Sequence, residues 1–445
     1  MKIAYLTAGA GRMYCGSCLR DNTLAMALRA AGHDVQLIPT YTPTRTDEAN
    51  VSHDRVFLGG INVFLQQHTA IFRRTPWVVD RLLDSPALLR LATRWGVSVD
   101  PAELGEMTVS MLHGPEGFQR KEIDKLVRYL ADELRPEIVS LPNSLLIGLA
   151  PALKAGLPGV PVCCTFQGEE LFLDSLGERY RAKSLDLIRR HAEQVDAFIA
   201  VSRFGADQMA SYLGLDRGRI RVVPLGISLD GHEKRAGADP EPFTIGYLAR
   251  IAPEKGLHVL CDAYRRLASS GAALPPSRVW AAGYLGPEHR AYLAGVQQRM
   301  EEWGLTERFR YHGESDRRGK LAFLRELSVL SVPGDYEDPK GLFLLEAMAS
   351  GVPIVQPRRG AATEIVEATG GGLLVAPGDP DALAQGLAAL MMDPARRRAL
   401  GDAGYDGVRA HYSAAGMRDR ALDVYRSLVG PAGPPAAEST EHHRA

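Results

Sequence analysis

The sequence predicts an α/β protein of two doubly wound domains, each a parallel sheet between helices, facing one another across a cleft. Three observations predict it. The chain's 445 residues exceed what a single hydrophobic core serves, and 45% hydrophobic with 24% charged residues is ordinary globular composition. Short apolar strands alternate with helical periodicity from the first residues onward. A polar stretch rich in breakers then separates that series from a second one of the same kind.

Residues 2–7 read as the first strand, followed by a glycine-containing loop from Gly9 to Ser17. Leu24, Leu28 and Ala31 recur at helical spacing until Gly32 ends the helix, and Val35–Ile38 is the next strand. This βαβ unit implies parallel strands and a right-handed crossover. Further strands fall at Glu137–Ser140, Val160–Thr165, Ala197–Val201 and Ile220–Pro224, completing a first domain over residues 1–230. Residues 231–242 form the expected linker. The second domain, 243–410, carries strands at Phe243–Leu248, Arg278–Gly283, Phe309–Gly313, Leu327–Val332, Pro353–Gln356 and Gly372–Val375. Residues 431–445, rich in Pro, Ala, Glu and His, read as a disordered tail.

Residues 44–130 fit this plan least, and helices inserted in the first domain are expected there. Within them, apolar residues beside Arg73, Arg74, Arg81, Arg90 and Arg94 make either a face for peripheral membrane contact or, more commonly, a face packed on its own domain. A net charge of −1 gives no electrostatic case for nucleic acid. No apolar run reaches the roughly 18 residues of a membrane span. The chain opens directly on a strand with no leader before it, and its five cysteines lack scaffold spacing, so a reducing cytoplasm is the expected location.

The stretch from Asp338 to Pro353 carries the most chemical information. A carboxylate, a Gly341–Leu342 step and a second carboxylate, Glu346, fall where a strand-end loop becomes a short helix. Backbone N–H groups and the positive helix end suit an anion, and Glu346, a turn further in, suits a sugar-ring diol. Arg250 and Lys255 lie after another strand of the same domain and can clamp a diphosphate. A phosphate beside a diol suggests a nucleotide.

These pieces resemble the family-four retaining glycosyltransferases, enzymes of the GT-B architecture. The matching motifs are Gly246-Tyr-Leu-Ala-Arg250-Ile-Ala-Pro-Glu-Lys255-Gly256, Pro333, Gly341-Leu-Phe-Leu-Leu-Glu346-Ala-Met-Ala-Ser-Gly-Val-Pro353, Gly360-Ala-Ala-Thr-Glu364 and Gly370–Val375. In the first domain they are Gly32–Val35, Ala200–Ser202 and Val223–Gly226. The resemblance implies transfer of a hexosyl or related sugar from a nucleotide diphosphate sugar to a glycan, lipid or small-molecule acceptor, with retained configuration and without a metal or other cofactor. Arg250 and Lys255 would neutralise the leaving diphosphate, the N–H groups of Gly341 and Leu342 would add dipoles, and Glu346 would hold the ribose. The acceptor would bind the first domain, and a helix over 411–430 would cross back to it.

The sequence also departs from that family. The family's two glutamates have seven residues between them; here Asp338 holds the first position and Glu337 lies one residue too far from Glu346. The expectation is that Asp338, or Glu337 in its place, reaches the donor sugar. Lys340 stands where a Phe is common and would add a charge near the phosphate or a donor carboxylate. The usual Gly-Gly loop reads Tyr14-Cys15-Gly16-Ser17-Cys18, with Gly16 and Ser17 as substrate contacts. Where a His is common the chain has Gln167-Gly-Glu169, and Gln167 would donate a hydrogen bond to the donor sugar but cannot carry a proton.

Two rival readings follow from these departures. A chain altered at Asp338 and Gln167 could bind sugar nucleotides without transferring anything. Cys15-Gly-Ser-Cys18, after a strand and at a helix start, could serve a thiol oxidoreductase, although a thioredoxin-like unit needs no second βα series. Gly9-Ala-Gly11 lacks the third glycine of a dinucleotide fingerprint, and no acid ends the second strand, which argues against an NAD enzyme. Asp379-Pro-Asp381 has a metal-binding spacing but follows a turn, where a helix cap explains it better. His191, beside Arg189 and Arg190, is expected on a solvated helix face.

Overall fold

The structure, a computed structural model, describes residues 1–9, 15–59, 67, 101–234, 239–271 and 273–430. Six strands form the first sheet: β1 (Lys2–Thr7), β2 (Asp34–Pro39), β3 (Ile138–Leu141), β4 (Val162–Phe166), β5 (Ala197–Ala200) and β6 (Ile220–Val222). Six more form the second: β7 (Phe243–Leu248), β8 (Ser277–Ala282), β9 (Phe309–Tyr311), β10 (Val329–Leu330), β11 (Ile354–Pro357) and β12 (Gly372–Val375). All the pairings are parallel, from the register Ile3↔Val35 at one end to Val279↔Phe309 at the other. Helices shield both faces, so the central strands read as unbroken apolar runs; Ile3, Ala4, Tyr5 and Leu6 have no exposed surface.

The strand orders are β2-β1-β3-β4-β5-β6 and β12-β11-β10-β7-β8-β9. In each sheet the chain therefore winds away in opposite directions from one adjacent pair: β1 and β3 in the first, β7 and β10 in the second. Loops leaving the carboxyl ends of such a pair part and leave a crevice. Here both crevices open on the same space between the sheets.

Within the inserted region, helices Pro101–Leu112 and Arg120–Arg128 are followed by a π-helical turn, Tyr129–Leu134. The arginines from Arg73 to Arg94 lie outside the described residues. The inserted helix corrects the expectation for His191: it is half-buried, with Nε2 2.8 Å from the Leu112 carbonyl oxygen. Long-range packing by residues that no local pattern could place covers that helix face. The ends of the expected linker are pinned to the second domain, His232 Nδ1 to Ser350 Oγ at 2.8 Å and Asp239 to Arg397 at 2.6 Å. Asp379 accepts hydrogen bonds from the N–H groups of Asp381 and Ala382, which makes it a helix cap.

Helix Ala414–Val429 lays Met417, Ala421, Leu422 and Tyr425 into a core shared with Ile3, Tyr5, Leu24 and Val35 of the first domain. The tail 431–445 lies outside the described residues. Among the described residues no helix is long and apolar enough to cross a membrane.

Tyr425 has no exposed surface, so Tyr425→Ala should remove roughly 3 kcal/mol of packing and lower the unfolding midpoint by roughly 6–12 °C in a calorimetric scan. An unchanged midpoint would show that this helix contributes nothing to the first domain's core.

Candidate active site

The second domain builds its wall of the cleft from the loops after β7 and β10. After β7 the chain passes Arg250 into a 3₁₀ turn, Pro253–Lys255, and then Gly256 at φ +73°. A Cβ at Gly256 would lie 2.0 Å from the Pro333 carbonyl oxygen, so only glycine lets the two loops approach. That approach sets Lys255 beside the β10 loop. Its Nζ donates to Asp338 Oδ2 at 2.9 Å, touches the Tyr336 hydroxyl and stands 4.5 Å above the Tyr336 ring. Tyr336 donates to the same Asp338 oxygen at 2.7 Å.

Asp338 Oδ1 accepts from the backbone N–H of Lys340 at 2.9 Å and, more loosely, of Gly341 at 3.5 Å. Burial alone would raise its pKa, but Lys255, Lys340 and the Tyr336 hydrogen bond outweigh burial and hold it far below the usual carboxylate range. Burial and the adjacent Asp338 push the Tyr336 hydroxyl well up, so it remains a proton donor. The expectation that Asp338 reaches a donor sugar therefore needs correction. Both of its oxygens are engaged by its own domain, and its job in this structure is to hold Lys255.

Glu337 is corrected too. Its neighbour turns inward, so Glu337 turns outward, where Oε2 accepts from Gly360 N–H at 2.6 Å and Oε1 lies 3.6 Å from Arg359 Nε. It lines a separate surface pocket with Arg203, Arg358 and Glu364. Arg250 lines the main cleft and pairs with Glu254 four residues on.

Gly341, at φ +62°, turns the chain into helix Leu342–Ala349. Glu346 sits one turn in, 8% exposed, and accepts from Lys320 Nζ at 2.5 Å. Lys320 also reaches Asp47 of the first domain at 2.5 Å. Burial would lower the Lys320 pKa, but the Glu346 and Asp47 carboxylates raise it.

The first domain supplies the facing wall. Gly16 and Ser17 begin helix Gly16–Ala30. A Cβ at Gly16 would meet Leu342 Cδ2 at 3.8 Å, an ordinary contact, so the two domains touch here without demanding a glycine. Lys340 crosses the cleft and donates to Ser17 Oγ at 3.2 Å and to the Gln167 carbonyl oxygen at 2.8 Å. The Gln167 amide nitrogen donates to Asp21 Oδ1 at 3.1 Å and to the Pro142 carbonyl at 2.9 Å. Glu169 accepts from Gln167 N–H at 2.7 Å, Ser144 N–H at 2.8 Å and Ser144 Oγ at 2.9 Å. These two side chains staple the loops after β3 and β4 together, and both hydrogens of the Gln167 amide nitrogen are taken within the first domain, which corrects the expectation that it donates to a sugar.

Between the walls lies a cleft of about 660 Å³ that Arg250, Lys255, Asp338, Lys340, Leu342 and Glu346 share with Cys15, Gly16, Ser17, Asn143, Gln167 and Glu169. Its size suits a nucleotide sugar. Among the described residues, no group of three or more His, Cys, Asp or Glu side chains is placed to hold a metal ion.

Both halves of the chain match family models: residues 22–226 a glycosyl transferase 4-like domain, and residues 230–407 the glycosyl transferases group 1. The chain belongs to the group 1 glycosyltransferases. It is 28% identical over 260 residues to a D-inositol 3-phosphate glycosyltransferase of Segniliparus rotundus, covering 53% of this chain and 56% of that one. It is 29% identical over 271 residues to the lipopolysaccharide core biosynthesis mannosyltransferase LpcC of Rhizobium leguminosarum, covering 58% and 71%. The chain thus spans little more than half the length of the first of these relatives. The fold is GT-B. A sucrose-phosphate synthase from Thermosynechococcus elongatus superposes with a TM-score of 0.69 at 18% identity, over 96% of this chain and 98% of that one. Anabaena HepE in complex with UDP and glucose gives 0.67 at 15%, over 96% and 100%.

Sequence reasoning missed Tyr336 and Lys320, which line this cleft, and Asp21, buried behind its first-domain wall. Tyr336 had a signal, an aromatic ring two residues before the acid in a turn-rich loop. Lys320 and Asp21 had none, since each acts on a partner distant in sequence.

Glu170 lies beside this wall. Burial and then the nearby Glu169 push its carboxyl up to about 7, and its Oε2 is buried with no hydrogen-bond partner. Because the folded value exceeds the ordinary 4.5, folding favours the protonated form. Its stabilising contribution is full at acid pH below that ordinary value and is lost as pH rises through about 7. Glu170→Gln should therefore stabilise the protein by on the order of 1–3 kcal/mol at pH 8 and by almost nothing at pH 4, read from urea midpoints at both pH values.

Proposed function

We propose that the protein transfers a hexosyl or related sugar from a nucleoside diphosphate sugar to a hydroxyl acceptor, retaining the anomeric configuration and needing no metal ion. The donor occupies the second domain's wall, and the acceptor enters against the first. The observation that carries this reading is the convergence of Arg250, Lys255, the start of helix Leu342–Ala349 and Glu346 on one cleft. Two cations and a helix start suit a diphosphate, and a carboxylate a turn further on suits a ribose. UDP in a neighbour of the same fold, and hexose transfer by the mannosyltransferase relative, support the donor class.

Negative charge grows on the leaving diphosphate as the glycosidic bond stretches and the sugar becomes oxocarbenium-like. Cations already fixed beside it stabilise that charge without reorganising, which accelerates departure. Retention follows if the acceptor attacks from the face the diphosphate leaves, with a phosphate oxygen taking the acceptor's proton. Arg250 and Lys255 supply the charge that a metal ion supplies elsewhere.

In a thermal-shift screen, one of UDP, GDP and ADP should raise the unfolding midpoint well above the other two, which identifies the donor base. Glu346→Ala should abolish most of that shift. Arg250→Ala should lower kcat by on the order of 10²–10³ with the product anomer unchanged. Unaltered kinetics in both variants would remove the site, and loss of turnover on adding EDTA would contradict metal independence.

A further inference from the structure

The cleft wall holds chemistry that sugar transfer does not use. Cys15 occupies the cap position of helix Gly16–Ala30, in extended conformation, and Cys18 lies in its first turn. Both are free thiols, three residues apart at the start of one helix. Cys15 is half-buried and lines the cleft, whereas Cys18 is 1% exposed and lies next to Thr7 and Asp21. Ser17, between them, receives the Lys340 ammonium. One thiol therefore faces the ligand space and the other waits behind it.

From this arrangement we propose that Cys15 and Cys18 form a reversible disulfide on reaction with a hydroperoxide, and that this oxidation removes a negative charge from the wall facing the donor. The part concerning the donor rests on the function proposed above; the disulfide does not. Several features favour a Cys15 thiolate. The neighbouring Cys18 thiol, the start of the helix and Lys340 together outweigh burial and hold its pKa well below the usual thiol value. Cys18, buried beside Cys15 and Asp21, is pushed well up and keeps its proton.

In the first step the Cys15 sulfur attacks the peroxide. An S–O bond forms and the O–O bond breaks, and the departing oxygen takes a proton to leave as water or an alcohol. In the second step the Cys18 sulfur attacks the Cys15 sulfenic acid. The S–S bond forms, and hydroxide leaves with the Cys18 proton as water. Two electrons pass from the thiols to the peroxide, and a dithiol returns them. Before oxidation the Cys15 charge is matched by Lys340; afterwards Lys340 faces the cleft without that anion.

The test is peptide mapping of the full chain, reduced, treated with hydrogen peroxide, then denatured and alkylated. The expected result is loss of two alkylatable thiols at Cys15 and Cys18, restored by dithiothreitol, with Cys163, Cys164 and Cys261 unchanged. Cys18→Ser should leave a sulfenic acid at Cys15 that dimedone traps, while Cys15→Ser should leave Cys18 unoxidised. Full alkylation of wild-type Cys15 after peroxide would overturn the proposal. Inorganic pyrophosphate should bind the oxidised protein about 3- to 10-fold more tightly than the reduced one, and equal affinity would overturn the charge coupling. If pyrophosphate bound neither form, the donor site would be refuted, while the mapping would still decide the disulfide by itself.

Discussion

The Lys255–Asp338 ion pair is the interaction on which the rest of the site depends. It joins the loop after β7 to the loop after β10 at the point where the second sheet changes winding direction. Gly256 makes the approach possible and Tyr336 fixes it from the side. Without the pair, a cation and an anion would each be left poorly solvated in a cleft wall, which is costly. With it, the cation is held beside the start of helix Leu342–Ala349.

That pairing also shapes how an anionic ligand can bind. Arg250 and Lys255 are both neutralised internally, by Glu254 and Asp338. Under the function proposed above, a diphosphate would share these cations with carboxylates, and the net gain on binding would be smaller than two free cations would give. The balance would shift during that reaction, because the leaving diphosphate would carry more charge than the bound donor while the carboxylates stay as they were. Cations shared in the ground state and drawn to the leaving group in the transition state favour turnover over tight substrate binding.

The architecture was legible in the sequence because it rests on periodicity. Strands of four to six residues with apolar runs, such as β1 and β7, fall within a residue or two of where the pattern puts them. Arg250, Lys255 and Glu346 were legible as residues of one cleft, since each follows a strand end or a helix start. Side-chain direction in irregular loops was not. Whether Glu337 or Asp338 faces inward depends on a single step of the chain, and Gln167 and Glu169 are claimed by Asp21, Pro142 and Ser144, partners fixed only by how β1, β3 and β4 stack. His191 was misplaced for the same reason, through a helix whose docking leaves no local trace.

Beside the apolar docking of helix Ala414–Val429, polar contacts join the domains across the cleft: Lys340 to Ser17 and Gln167, Arg317 to Glu48, Arg203 to Glu364, and Lys320 to Asp47. Of these, Arg203 to Glu364 has an exposed arginine, and a pair of that kind contributes little. Lys320 is buried and bonds Glu346 as well as Asp47. The carboxylate suited to the ribose is therefore already part of the clasp between domains. Under the function proposed above, a ligand that engages Glu346 would act on the same lysine that bonds Asp47 of the first domain, which would couple the donor site to the contact between domains.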